Sequence, residues 1–484
     1  MSDRRSDTTG HEATIALGHH DRMNDTEALM WSLEKDPSLR STITVVFLLD
    51  GTIDRDVLSR RVERMTRTVP RLRQRVRSNT LSVAPPRWET DPNFDLSFHL
   101  WWVRAPGSAT MRDVLSIAEP VAMSGFDRAR PLWRAIVIEG LPNGRSAIVM
   151  KVHHSIADGI TAVQLQLELF DFEPDADERE LPPIPQAHVL SQPERFADAI
   201  EHQTRHQLAV FGRIAGTLLD NAQHALTDPA TALRDGAALA ASLARVARPG
   251  THTMSPLMTE RSLSLRFDTL TVDLEALRSA GRAAGGTLND AFVAALARGM
   301  YRYHLAHDVD CDELRLAIPI SMHNADGGVG SGAGDGGGNA FIPARVEIPI
   351  DLPDPVELMS TIHDIVDGAR HEPANELVEP VSGIINRFPT AAVTSVFSSA
   401  AKSVDFAASN VPGPPVAMYL AGAKLLAQFP FGPLSGSALN ATLLSYDGTL
   451  DIGIVSDPAA IADPEQLIAC LAAGFEDILA AGEI

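Results

Sequence analysis

The sequence has few cysteines, few lysines and no long uninterrupted apolar run. Its 484 residues include two cysteines, Cys311 and Cys470, too few for a disulfide framework or a zinc site. We therefore expect two buried, reduced thiols. No run of about 18 apolar residues occurs, so no transmembrane helix is predicted. Residues 1–18 are polar and lack the apolar core of a signal peptide, which predicts a cytoplasmic protein.

The charge is strongly one-sided. The formal net charge is -21 at pH 7, which argues against binding to nucleic acid. It also argues against docking on anionic lipid through a basic patch, so any contact with an inner membrane or a lipid body should be hydrophobic. With 45% hydrophobic and 21% charged residues, the composition is typical of a globular protein, and the length indicates two or three domains.

The first part of the chain after the polar tail (1–22) alternates predicted strands and helices. A β-rich run at 41–49 is followed by helical spacing at 53–68, with Val57, Val62 and Met65 on the apolar face. Another helix is predicted at 110–122.

A hairpin comes next along the chain. Pro131-Leu132-Trp133 opens a strand that runs to about Glu139, and Leu141-Pro142-Asn143-Gly144 supplies a turn. The return strand, 146–153, ends in two histidines, His153 and His154. Because side chains alternate across a strand, we expect one histidine to face a cavity and the other to pack behind it.

Composition changes near Leu181. A proline-rich stretch to Pro193 is followed by the Ala-rich segment 195–248, where helices are predicted at 196–220 and 231–246. We interpret residues 182–261 as a helical linker over a domain junction, and as the best candidate for a lipid-contacting element.

Strands and helices alternate again from residue 262. Thr287 is a good N-cap for a helix at 288–304. Strands are predicted at 314–320, at 340–350 and near 444–456. The chain thus predicts a mixed α/β architecture.

The run His153-His154-Ser155-Ile156-Ala157-Asp158-Gly159 carries the chemistry. An imidazole titrates near neutral pH and can take a proton from an alcohol that attacks an acyl carbon. We therefore predict His154 as a general base, supported by His153, with an activated acyl donor and no metal. Asp158 is expected to hold the turn by capping the next helix and pairing with Arg345, while Gly159 lets the backbone turn tightly.

Other interpretations of these residues are weaker. His153, His154 and Asp158 could be metal ligands, but alternation points the two histidines apart. No Gly-x-Ser-x-Gly elbow for a serine hydrolase is present. The glycine-rich stretch 326–338 lacks the spacing of a phosphate-binding loop and predicts a flexible surface excursion.

Several further motifs resemble one family. The His-His-x-x-x-Asp-Gly run is similar to the signature of CoA-dependent acyltransferases, whose fold includes chloramphenicol acetyltransferase and condensation domains. Pro131-Leu132-Trp133, Asn289-Asp290 and Ser409-Asn410-Val411-Pro412-Gly413-Pro414 follow in the order typical of bacterial wax ester synthase/diacylglycerol acyltransferases. The resemblance covers about residues 23–480. The start departs from the family pattern, since Glu27 stands where an Asp is usual.

The resemblance implies two chloramphenicol-acetyltransferase-like domains, 23–181 and 262–484, each with a mixed β-sheet and helices. It implies a tunnel at their interface, with His154 midway along it. Asn289 and Asp290 would support the cavity, and Asn410 to Pro414 would form a turn at the interface.

The predicted activity is transfer of a long-chain acyl group from acyl-CoA, a co-substrate, to diacylglycerol or to a long-chain alcohol. No other cofactor is expected. Two alternatives stay open. The acceptor could be another hydroxyl or amine, on a polyketide, a glycolipid or a carrier. The protein could also be a non-catalytic lipid-body binding protein.

Overall fold

Two six-stranded mixed sheets form the framework of the molecule. The computed structural model describes residues 21–78, 84–156, 165–187, 189–202, 252–321, 341–371 and 390–482. The strands in this part of the chain are β1 (Thr42–Asp50), β2 (Gln74–Arg77), β3 (Arg87–Thr90), β4 (Leu100–Arg104), β5 (Trp133–Glu139), β6 (Ser146–His153), β7 (Arg266–Asp273), β8 (Glu313–Ser321), β9 (Phe341–Pro349), β10 (Phe406–Val411), β11 (Tyr419–Leu420), β12 (Ala423–Phe431), β13 (Leu439–Tyr446) and β14 (Thr449–Ser456).

The helices flank these sheets, and side chains near their first residues cap several of them. The α-helices are α1 (Asp25–Leu33), α2 (Arg55–Thr68), α3 (Leu96–His99), α4 (Met111–Met123), α5 (Leu274–Ala283), α6 (Leu288–Leu305), α7 (Pro355–Arg370), α8 (Thr390–Lys402) and α9 (Pro464–Ala481). Glu27, which departs from the family pattern, closes a capping box with Asn24 at the start of α1. Thr287 caps α6 as predicted.

The first sheet has the strand order β11-β12-β1-β6-β5-β4, and the second has the order β7-β14-β13-β10-β8-β9. β4 runs parallel to β5, and β10 runs parallel to both β13 and β8; the other pairs are antiparallel. The expectation of mixed sheets flanked by helices is therefore confirmed.

The chain passes between the sheets late in the sequence. After β10 it leaves the second sheet, adds β11 and β12 to the first, and returns as β13. A division of the sequence at residue 262 therefore does not describe which strands share a sheet.

The two sheets meet closely where β12 faces the second sheet. Phe267 and Phe431 stack with ring centroids 4.1 Å apart. A Cβ on Gly453 would lie 1.9 Å from the carbonyl oxygen of Pro430, so only glycine fits there. Each sheet also has an apolar core; that of the second is built around α6 and α9.

Most of the predicted elements are present, with local corrections. Leu58, rather than Val57, joins Val62 and Met65 on the buried face of α2, because the apolar stripe begins one residue later. The single strand expected near 444–456 is a hairpin, β13 and β14, since Tyr446-Asp447-Gly448 turns the chain through positive φ at Asp447 and Gly448.

Both cysteines are buried free thiols, as predicted, and burial raises the pKa of Cys311 to about 11. The helices expected at 231–246 and over most of 196–220, and the glycine-rich excursion, lie outside the described residues.

Candidate active site

The histidine pair lies where the central strand β6 leaves the first sheet. The backbone N–H of His153 donates to Leu132 (3.0 Å), and that of His154 donates to Ser41 (2.8 Å). The N–H of Ile156 then donates to the carbonyl of His153 at 2.9 Å, which closes a turn. Chain segments on both sides of β6 therefore hold the pair.

His153 is fully buried and both of its ring nitrogens have close neighbours. The backbone N–H of Ser155 donates to its Nδ1 at 3.0 Å, and the Ser155 hydroxyl lies 2.6 Å from the same nitrogen. These partners assign the neutral form protonated on Nε2. Trp31 and Phe126 present edges to the ring, at centroid distances of 5.7 and 6.0 Å.

A carboxylate that sequence reasoning missed faces the other side of this ring. Oε1 of Glu34 lies 3.2 Å from Nε2 of His153, at an angle too bent for a good hydrogen bond. Burial by itself raises the pKa of Glu34, but His153 and the charges of Arg128 and Arg40 outweigh burial and leave that pKa below its usual value. No local pattern distinguishes Glu34 from its charged neighbours in the sequence.

Lys151 lies two residues before His153 on the same face of β6, and it too is buried. Its Nζ donates to the carbonyls of Val121 (2.9 Å) and Ser124 (2.5 Å), at the C-terminal end of α4. Burial, followed by the charges of Arg134 and Arg40, lowers its pKa to about 7. Lys151 therefore connects β6, close to the histidine pair, to the C-terminal end of α4.

His154 is partly exposed, unlike His153. Of the two histidines it is the one a substrate could reach. Asp158 and Gly159, which complete the motif, lie outside the described residues, so their predicted roles stay predictions. Arg345, the predicted partner of Asp158, is exposed on β9.

The Pro131-Leu132-Trp133 motif anchors β5 beside β6, and all three residues are buried. The indole N–H of Trp133 donates to the carbonyl of Leu72 at 2.7 Å. Its ring stacks on that of His99 at 4.6 Å, and its carbonyl lies 2.8 Å from Nδ1 of His99. Burial lowers the pKa of His99 to about 4, so this histidine is neutral and donates to that carbonyl.

Asn289 and Asp290 lie in the first turn of α6. Asp290 is buried, and its Oδ2 accepts from the N–H (2.7 Å) and hydroxyl (2.8 Å) of Thr287. The same oxygen lies 2.9 Å from Nδ1 of His363 on α7. These contacts close the helix end, whereas a role in supporting a substrate cavity stays a prediction.

The segment from Asn410 to Pro414 includes the end of β10 and begins the passage to the first sheet. Asn410 is exposed near the end of β10. The N–H of Gly413 donates to the hydroxyl of Ser445 at 3.0 Å, and a Cβ at Gly413 would lie 2.1 Å from the Ser445 carbonyl oxygen. Gly413 therefore lies against neighbouring backbone where a side chain would not fit.

A cleft lies on the His153 face of the first sheet, between α4 and the segments around β7 and after β12. It contains about 660 Å³ of space, counted to its open mouth. Its wall includes Thr42, which pairs with His153 across the sheet, and Thr44, which pairs with Lys151. The tunnel that the resemblance implies stays a prediction.

The described residues contain no group of three or more His, Cys, Asp or Glu residues that could hold a metal ion. Separately, none of the helices described is both long and apolar enough to span a membrane.

Comparisons with known proteins agree over nearly the whole chain. A family model described as the wax ester synthase/diacylglycerol acyltransferase catalytic domain matches residues 23–292, and its C-terminal domain model matches residues 337–479. A Mycobacterium tuberculosis H37Rv protein, provisionally named a diacylglycerol O-acyltransferase, is 36% identical over 463 residues, covering 95% of this chain and 92% of the relative. Another from the same strain is 25% identical, covering 95% and 97%.

Solved structures share the fold. The wax ester synthase/diacylglycerol acyltransferase from Marinobacter aquaeolei VT8 matches with a TM-score of 0.60 at 22% identity, over 96% of this chain and all of that one. A starter condensation domain of rhizomide synthetase, in complex with C8-CoA, matches with a TM-score of 0.57 at 13% identity, over 96% and 94%.

Proposed function

The chain belongs to the wax ester synthase/diacylglycerol acyltransferase family and is an acyltransferase, and we propose that it moves a long-chain fatty acyl group from acyl-CoA to diacylglycerol. The product would be triacylglycerol. The observation that carries this proposal is the 36% identity to relatives named as diacylglycerol O-acyltransferases. Long-chain alcohols are a second acceptor class, giving wax esters, because the family model also covers wax ester synthases.

His154 is the proposed general base. It takes the proton of the acceptor hydroxyl as that oxygen attacks the thioester carbonyl. The carbon–sulfur bond then breaks, and the imidazolium returns the proton to the departing CoA thiolate. Its partial exposure at the end of β6 supports this role, because His153 is fully buried and its Nδ1 accepts the backbone N–H of Ser155. Such a base contributes about 10²–10⁴ in rate.

The test compares His154→Ala with the wild type and with a control, His371→Ala, whose exposed imidazole lies on the C-cap of α7. Folding is checked by circular dichroism, and CoA release is followed with a thiol reagent in the presence of acyl-CoA and diacylglycerol. We expect His154→Ala to lose about 10²–10⁴ of kcat and the control to lose none. Near wild-type turnover by His154→Ala would eliminate the base assignment.

The acceptor is tested by the same assay with diacylglycerol, hexadecanol and a carrier-bound amine, with acyl donors of several lengths. Diacylglycerol should give the highest kcat/KM. A higher value with the amine would favour a condensation-type reaction. Absence of CoA release with every acceptor would favour a non-catalytic lipid-binding protein.

Asp158 has a structural role in this proposal, in which it pairs with Arg345 and holds the turn after the histidines. Arg345 is exposed on β9, and removing one partner of an exposed pair typically costs about 0–1 kcal/mol. Asp158→Ala should therefore lower the midpoint of thermal unfolding slightly, and it should lower the activity because the turn is no longer held. A variant with wild-type stability and no activity would contradict this role.

Contact with a lipid surface would follow from such substrates. Exposed large apolar side chains recur before the Ala-rich segment and at its start, at Phe172, Leu181, Ile184, Val189, Phe196 and Ile200. Exposed apolar groups of this kind favour interaction with lipid. Changing Ile184 and Phe196 to Asp should reduce flotation with triolein droplets coated in phosphatidylcholine, and unchanged flotation would exclude this surface.

A further inference from the structure

We propose that Glu34 is a positioning residue for acyl transfer, which acts through His153 to fix the direction in which the His154 imidazole points. The inference rests on the proposed function, because it presumes that His154 is the base. Glu34 itself is buried beneath the site and contacts His153.

The backbone is held by hydrogen bonds on either side of His154. The N–H that donates to Ser41 belongs to the peptide before the His154 Cα, and the N–H of Ser155 belongs to the peptide after it. The Ser155 N–H ends on Nδ1 of His153. Because both peptide planes are held, both backbone torsions of His154 are restricted, and its side chain leaves the turn in one direction.

The hydrogen bond from Ser155 also determines the tautomer of His153. Its Nδ1 can accept from Ser155 only if the ring proton is on Nε2. Oε1 of Glu34 lies 3.2 Å from Nε2, to one side of the N–H direction, and a carboxylate so close to Nε2 favours a proton on that nitrogen because it can only accept. A donor group in place of Glu34 would favour the other tautomer, which would set two hydrogens against each other at Ser155.

Aromatic and cationic side chains surround the contact between Glu34 and His153. Trp31 and Phe126 flank the His153 ring, while Arg128 lies over Trp31 and Lys151 over Phe126. The charges of Arg128 and Arg40 favour the charged form of the Glu34 carboxylate. Burial also excludes water, so the contact between Glu34 and His153 is weakly screened.

Glu34 is unfavourable in its local setting. It is the C-cap of α1, and an acidic side chain at a helix C-terminus opposes the helix dipole. Its backbone N–H makes the capping bonds, to Met30 and Ser32, so capping does not need the carboxylate. The tertiary contact with His153 gives that carboxylate a role that the helix does not.

The test uses Glu34→Ala and Glu34→Gln, with Asp36→Asn as the matched control. Asp36 is a nearby carboxylate that caps a 3₁₀ turn through Ser38. We expect Glu34→Ala to lower kcat about 10²-fold while KM for acyl-CoA and acceptor changes less than about threefold. Glu34→Gln keeps an acceptor oxygen and should recover part of the loss, whereas Asp36→Asn should behave as wild type.

A second measurement does not depend on activity. Nitrogen chemical shifts of the labelled His153 ring should report the Nε2-protonated tautomer in the wild type and a mixture in Glu34→Ala. If Glu34→Ala does not fold, the same measurement on Glu34→Gln tests the inference, because glutamine has nearly the same side-chain volume as glutamate.

Folded Glu34 variants with wild-type kcat and an unchanged His153 tautomer would overturn the inference. Wild-type activity in His154→Ala would instead overturn the assignment of His154 as the base, and the nitrogen shifts would still decide whether Glu34 controls the tautomer of the His153 ring.

Discussion

Two carboxylate–histidine pairs, one associated with each sheet, have similar chemistry and different consequences. Glu34 and His153 lie 3.2 Å apart with 8% and 0% of their side chains exposed. Asp290 and His363 lie 2.9 Å apart with 2% and 36% exposed. In both pairs a buried carboxylate meets an imidazole from another part of the chain.

The difference lies in what else each pair contacts. The far nitrogen of His153 accepts the N–H of Ser155 and so holds the turn that carries His154. In the second pair it is the carboxylate that makes the additional contact, because Asp290 also accepts the N–H of Thr287 at the start of α6. The same pairing therefore orients a reactive side chain in one place and caps a helix in the other.

The largest difference between the pairs should come from removing each histidine. His153→Ala loses the bond to Ser155 and should lower kcat about 10³-fold, because most of the base's contribution depends on its orientation. His363→Ala should leave kcat unchanged. Equal losses of kcat in the two purified, folded variants would remove the distinction.

A third buried carboxylate, Asp451, has no charged hydrogen-bond partner among the residues that the structure describes. Asp451 is buried, and its hydrogen-bond partners, the N–H of Gln428 and the hydroxyl of Thr271, are both neutral. Burial raises its pKa from 3.8 to about 6, opposite in direction to the shift at Glu34.

The folded protein therefore holds a proton on Asp451 that the unfolded chain releases, so stability should fall as the pH rises from about 4 to 6. Above about pH 6 the whole loss is present, and it lowers the free energy of unfolding by about 3 kcal/mol. Asp451→Asn should remove this part of the pH dependence, as measured by urea unfolding at pH 4, 5, 6 and 7. Parallel curves for variant and wild type would contradict it.

Asp290→Ala should affect stability more than activity. It removes the capping acceptor of Thr287, and such losses typically cost about 1–2 kcal/mol. The midpoint of urea unfolding should fall, while kcat and KM of the folded protein should not change. A selective loss of kcat would instead support the predicted role of Asp290 in the substrate cavity.

The smallest effect should be the pH dependence of the second pair. The hydrogen bond that the His363 ring donates to Asp290, together with the charge of Asp290, raises the pKa of His363. The stabilisation is therefore present below about pH 6.5 and is lost as the pH rises through the higher folded-state pKa. Because the imidazole is partly exposed, the contribution should be under about 1 kcal/mol. His363→Gln should be less stable than wild type at pH 6 and equal to it well above neutral pH.

Local sequence patterns predicted much of the first sheet. The turn at Leu141 to Gly144 and the β-rich runs on each side give β5 and β6, and alternation correctly separated the environments of His153 and His154. Thr287 marked the start of α6 for the same reason: its cap depends on residues three positions apart. Such features are set by neighbours in the chain, so they can be predicted from short windows.

The rest of the site depends on contacts between distant parts of the chain. Glu34 follows α1, yet its partner ends β6, and Lys151 joins that strand to α4. β12 follows the second sheet's β10 but completes the first sheet. No periodicity in the sequence encodes these pairings, because they depend on which surfaces meet after the chain has folded.

The sequence by itself determined the histidine pair, the turn that follows its strand and the motifs that indicate the family. Only the tertiary structure decided that a carboxylate faces His153, that Asp290 closes a helix end, and that Gly413 and Gly453 lie against neighbouring backbone. The physical reason is range. Hydrogen bonds within a turn or a helix end join near neighbours, whereas the packing of two sheets brings together side chains that the sequence keeps far apart.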